Sequence, residues 1–189
     1  MSRRARLFLL LCVLAAVAGF LGGRIWLAVG QSGMGSSSAG TGLGGLDPGA
    51  RAPRLALPLL GGPGGSGPEL GRRALVVDFF ASWCAECRAE LGSLARVASR
   101  APKWIRFVGV DTADSNPQAA LKDARSAGVS YLLLEDKSGA EAAAWRVEVL
   151  PTTYLVSEAG RVLSVLYGRH SSAQFEGWLA QYHWGRTGG

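Results

Sequence analysis

The stretch Trp83-Cys84-Ala85-Glu86-Cys87 constrains this chain more than any other. It follows an apolar run from Ala74 to Phe80. It opens a run toward Arg100 in which Leu91, Leu94, Ala95 and Ala98 recur at helical spacing. A nearly continuous apolar run of that length predicts a strand buried on both faces. The cysteines therefore fall at a strand-to-helix turn, where a C-x-x-C pair can close a small disulfide and open it again. A helix N-terminus stabilises a thiolate on the first of them. Thiol–disulfide exchange is the leading expectation. A zinc half-site would need two more Cys or His ligands, and His170 and His183, the chain's only histidines, lack motif spacing. A static disulfide over so short a loop would constrain little chain entropy. Cys12, the remaining cysteine, lies in an N-terminal apolar run.

The rest of the domain reads as alternating elements. Ile105 to Val110 is a second buried strand. Pro117 to Ala127 is a helix with proline at its first position and Gly128 after its end. Tyr131 to Leu134 is a short strand and Ala140 to Arg146 a short helix. Thr153 to Val156 and Arg161 to Tyr167 are strands joined by the hairpin signal Ser157-Glu158-Ala159-Gly160. Ser172 to Tyr182 closes the chain as an amphipathic helix. This order predicts an α/β fold, a central mixed sheet flanked by helices on both faces. Gly61 to Pro68 is a glycine-rich break, expected to join an N-terminal hairpin to the core.

Charge and hydropathy set the compartment. The net charge is +6, but residues 1–24 hold four arginines and no acid. Residues 51–189 carry 16 basic and 13 acidic residues with no basic block, which argues against nucleic-acid binding. Leu7 to Gly23 is apolar, and Ile25 to Val29 continues the run beyond Arg24. Residues 1–29 read as an N-terminal membrane-anchor helix of borderline length. Arg3, Arg4 and Arg6 would hold its tail in the cytoplasm, so the rest faces outward. A cleaved signal peptide is the rival reading, and both export the domain. Residues 30–50, with eight glycines and four serines, read as a flexible linker. Residues 51–189 are the globular domain.

The run Val76-Val77-Asp78-Phe79-Phe80-Ala81-Ser82-Trp83-Cys84-Ala85-Glu86-Cys87-Arg88-Ala89-Glu90 resembles the active-site segment of the thioredoxin superfamily. Val149-Leu150-Pro151-Thr152-Thr153 resembles its cis-proline loop. Val108-Gly109-Val110-Asp111, with Glu158-Ala159-Gly160-Arg161 further on, is similar to the TlpA/ResA/DsbE branch of exported thiol–disulfide oxidoreductases. The resemblance covers residues 52–184 and implies a thioredoxin-like fold.

It also implies roles. Cys84 would be the nucleophile and Cys87 the resolving thiol, together the redox-active disulfide, with no metal and no other cofactor. Pro151 would be cis and lie against the pair, and the Leu150 backbone would bond an extended substrate. Asp78 matches a buried acid that takes a proton from the second cysteine, and Glu90 matches an active-site glutamate. Trp83 would pack beside the cysteines and shield them. The implied activity is reduction of disulfides in exported proteins, with apocytochrome c as one substrate. The implied electron source is a membrane donor of the DsbD/CcdA type. An oxidase that forms disulfides, and a metallochaperone on the same fold, stay open. Two positions depart from the family. Ala85-Glu86 replaces its usual x-Pro, setting a carboxylate beside the developing thiolate against the pull of the helix dipole. Gly92 stands where a proline is common.

Overall fold

The computed structural model describes residues 44–62, 67 and 73–182. The expected anchor at 1–29 lies outside these residues, as does most of the expected linker. Among the described residues no helix is long and apolar enough to cross a membrane.

The strand before the cysteines, β1 (Ala74–Phe80), is buried along its whole length. It must therefore sit at the centre of a sheet covered on both sides. It pairs in parallel with β2 (Ile105–Thr112) and antiparallel with β4 (Thr152–Val156). The edges are β3 (Leu132–Asp136), parallel to β2, and β5 (Val162–Tyr167), antiparallel to β4. The order β3-β2-β1-β4-β5 is the mixed sheet expected. Parallel neighbours need crossovers, supplied by α1 (Ala85–Arg100) and α2 (Pro117–Ser126). The short α3 (Ala140–Ala144) follows β3, and α4 (Ser172–Gln181) ends the described chain.

Local signals fix the helix ends. The Asn116 side chain accepts from Ala119 N–H, and Pro117 needs no partner at N1. Ser171 and Gln174 form a reciprocal capping box on α4. One sheet face buries Val76, Phe107 and Leu155 against Leu94 and Val97 of α1 and Phe175 and Trp178 of α4. The other buries Leu75, Val77, Phe79 and Val110 against Trp145, Ala52 and Leu55. Each such large apolar side chain contributes about 1.5–3 kcal/mol.

Two elements run further than hydropathy suggests. β2 continues through Asp111 and Thr112, and β3 through Glu135 and Asp136. The Asp136 carboxylate is buried because it accepts from Thr112 Oγ1 at 2.8 Å and Ala142 N–H at 2.9 Å. The expected N-terminal hairpin is absent from the described residues. Residues 44–62 form turns and isolated bridges instead. They bridge β5 at its start, Arg51 to Arg161, and β3, Leu59 to Leu134. Residues 44–50, the end of the expected linker, already pack on the domain. Leu46 N–H donates to Tyr154 Oη and Gly49 N–H to Val162 O.

Candidate active site

β1 delivers the chain to a tight turn, Ala81 to Cys84, and α1 begins at Ala85. Cys84 is the N-cap, and its Sγ accepts from Cys87 N–H at 3.1 Å. The same group that caps the helix is therefore the one whose negative charge the helix end favours. Cys84 and Cys87 form a disulfide, with Cα atoms 5.2 Å apart. Both are buried, Cys84 the less so at 7% exposure against 1%.

Behind the pair lie two acids. Cys87, Glu90 and Leu91 share the buried face of α1. Asp78 lies mid-strand on β1, and its Oδ1 accepts from Thr153 Oγ1 at 3.2 Å across the β1–β4 pairing. Burial pushes the Asp78 carboxyl up to about 7, although the Thr153 hydrogen bond opposes this. Burial, then the charge of Asp78, pushes Glu90 up to about 9, against the His170 N–H bond and the charge of Arg169. Glu90 Oε2 accepts from His170 N–H in a very short contact, while Oε1 is buried without a partner. Glu90 is thus no solvated surface acid. The Tyr131 ring packs on Phe107, its hydroxyl is likewise buried without a partner, and burial raises its pKa well above 10.

The cis-proline loop is set from below. Trp145 and Tyr154 are fully buried with Phe79, and Tyr154 Oη–H donates to Trp145 O at 2.7 Å. Thr152 Oγ1–H donates to Val149 O at 2.7 Å, and Gly168 N–H to Pro151 O at 2.8 Å. The Leu150–Pro151 bond is cis. Leu150 packs against the cluster that holds Cys84, Cys87, Phe80 and Leu91.

Trp83 is 61% exposed, and its indole Nε1–H donates to Ala113 O at 3.3 Å. The anchor belongs to a cluster that sequence reasoning missed. Asp114, on the β2–α2 loop, accepts from Ser82 N–H at 2.5 Å and Asn116 N–H at 2.8 Å. It therefore ties the cysteine turn to the start of α2. Asp111 is buried at the end of β2, in register with Phe80. Burial, then the Asp114 charge, raises Asp111 to about 8, and neither of its carboxyl oxygens has a hydrogen-bond partner. Asp114 is lowered, its backbone and Ser82 hydrogen bonds outweighing burial. The D-x-x-D spacing was the visible signal, but nothing in it says that one member is protonated. Among the described residues no group of three or more His, Cys, Asp or Glu could hold a metal ion.

An electrophilic sulfur pair at a helix start, with acids behind it and a cis-proline loop beside it, can exchange a disulfide and move the accompanying proton.

Residues 48–165 match the profile of the AhpC/TSA family. The chain is 25% identical over 134 residues to the thioredoxin-like protein YneN of Bacillus subtilis, covering 70% of this chain and 78% of that one. It is 33% identical over 88 residues to a thiol:disulfide interchange protein DsbE homolog of Paracoccus denitrificans, covering 47% of each. In fold it is similar to StoA from Bacillus subtilis, with a TM-score of 0.57 and 19% identity over 70% of this chain and 99% of that one.

Proposed function

The chain belongs to the AhpC/TSA family, and on that premise we propose that it is a thiol–disulfide oxidoreductase of the ResA and DsbE type, working as a reductase on exported proteins. The observation that carries this is the Cys84–Cys87 pair at the α1 N-terminus, backed by two buried carboxyls.

The reduced enzyme starts with Cys84 as thiolate and Cys87 as thiol. The Cys84 sulfur attacks one sulfur of a substrate disulfide, forming a mixed disulfide, and the other substrate sulfur leaves as a thiolate that takes a proton from water. Cys87 must then lose its proton. The Asp78 carboxylate is the acceptor, since a group raised to about 7 is part-ionised near neutrality and holds the proton it takes, whereas Glu90, raised to about 9, stays protonated there. The Cys87 thiolate attacks Cys84, the mixed disulfide breaks, and the second substrate thiolate leaves. The enzyme ends oxidised, the substrate reduced by two electrons. Leu150, packed against the cluster that holds Cys84, and the exposed Trp83 next to Cys84 in the chain would contact the substrate.

Residues 1–29 would tether the domain to the membrane with its active site outside the cytoplasm. A membrane donor of the DsbD/CcdA type would restore the dithiol. The haem-attachment cysteines of apocytochrome c are the substrate this reading favours. Trapping tests it. Cys87→Ala cannot resolve the mixed disulfide and should accumulate, in cells, covalently joined to exported proteins with paired cysteines, a haem-attachment protein among them. Full biological activity from Cys84→Ser would overturn the reading. A reduction potential far more oxidising than that of thioredoxin would overturn its direction.

A further inference from the structure

The dipeptide Ala85-Glu86 leaves a carboxylate in the first turn of α1, two residues past Cys84. That carboxylate and a Cys84 thiolate compete for the same positive helix end. A third group enters from the β5–α4 loop. Arg169 Nε lies 3.1 Å from Glu86 Oε2. Its neighbours pin the loop. Gly168 sits at φ +77° and donates its N–H to Pro151 O, and His170 N–H binds Glu90. His170 Nδ1 lies 2.7 Å from Gly168 O, which makes that nitrogen the protonated one. Three consecutive residues thus touch the cis-proline, Glu86 and Glu90. They join the two halves of the redox site, and the side chain they hold over the helix start is a guanidinium.

We propose that Arg169 is a positioning residue that sets the reactivity of Cys84, by neutralising Glu86 at the start of α1. The proposal rests on Cys84 being the attacking thiol. Other charged or titratable groups near this helix start are Arg88, whose Nη1–H donates to Ser82 O, the buried Glu90 and His170. Arg88 and His170 face Ser82 and Glu90, whereas Arg169 contacts Glu86 directly. Glu86 and Arg169 are both more than half exposed. Their effect is therefore modest and sensitive to salt.

The test is a double-mutant cycle on the reduced full chain, reading the rate of iodoacetamide alkylation against pH, with mass spectrometry to identify the cysteine modified. Arg169→Gln leaves Glu86 unneutralised. It should raise the pKa of Cys84 and slow its alkylation near pH 7 by about threefold, half a pKa unit. The loss should shrink in high salt. Glu86→Gln should speed alkylation. The double variant should return close to the parent, and Arg169→Lys should recover most of the parent rate because it keeps the charge. If Arg169→Gln matches the parent, or if the double variant is as slow as Arg169→Gln alone, the proposal is overturned. If the modified cysteine is Cys87, it is the functional reading that fails, whatever the rates.

Discussion

Two pairs of acids flank the cysteine turn, and they behave differently. Asp78 and Glu90 lie behind the pair on β1 and α1. Asp111 and Asp114 lie at the end of β2 and in the loop beyond it. Burial raises one member in each case, but the partners diverge. Asp114 accepts two backbone N–H groups and stays ionised, lowered below the ordinary carboxylate value. Glu90 keeps one oxygen without a partner and is raised further by Asp78. Burial alone does not decide what a carboxyl does. One committed to backbone donors becomes a fastener; one left with spare capacity can take and release a proton.

The largest effect that would break this contrast is kinetic. Asp78→Asn keeps the shape and removes the acceptor. Resolution of the mixed disulfide at pH 7 should slow roughly 10²-fold, followed by quenched-flow analysis of a trapped substrate. An unchanged rate would show that Asp78 is not the acceptor. Next comes Asp114→Ala, which strands the N–H groups of Ser82 and Asn116. It should cost about 2–3 kcal/mol in urea unfolding of the oxidised protein. A cost like that of an exposed alanine substitution would mean that Asp114 fastens nothing.

Asp111 offers a smaller effect with a definite sign. Between the ordinary carboxyl value of about 4 and its raised value of about 8, the folded protein holds a proton that the unfolded chain has released. Stability therefore falls as pH rises through that window, and the loss is complete above about 8. Asp78 and Glu90 add to the same slope. Asp111→Asn removes one share, so its urea midpoint should decline less than the parent's between pH 5 and pH 9. At the upper end the variant should be the more stable by about 1–2 kcal/mol. Equal slopes would show that Asp111 carries no extra proton. The smallest effect belongs to Thr153→Val. Losing the Thr153 hydroxyl should raise Asp78 a little further and move the acid side of the resolution profile up by less than about one pH unit.

Much of this was legible in the chain. Hydropathy and helix-end signals located each strand and helix among the described residues, because each buries a regular face. The C-x-x-C turn and Leu150-Pro151 announced the two halves of the site. What escaped was long-range polar pairing. The contact of Ser82 with Asp114 spans 32 residues and that of Glu90 with His170 spans 80. No local pattern encodes either. Asp111, Glu135 and Asp136 ended the predicted strands early, since a charged residue reads as solvent-facing until its partner is known. The hydrogen bond from the Trp83 indole to Ala113 O spans 30 residues and is equally silent in the sequence. The hairpin expected before Gly61 failed for a related reason: the N-terminal segment pairs with the sheet at both ends and not with itself.

That segment has a consequence for how the molecule meets its own copies. β3 and β5 are the rims of the sheet, where unpaired backbone groups would invite a strand from another chain. Residues 49–52 cover the start of β5 and residues 58–60 cover β3, with backbone hydrogen bonds in both places. One length of chain thereby seals part of each rim. An extended strand from another copy of the chain therefore meets less open edge.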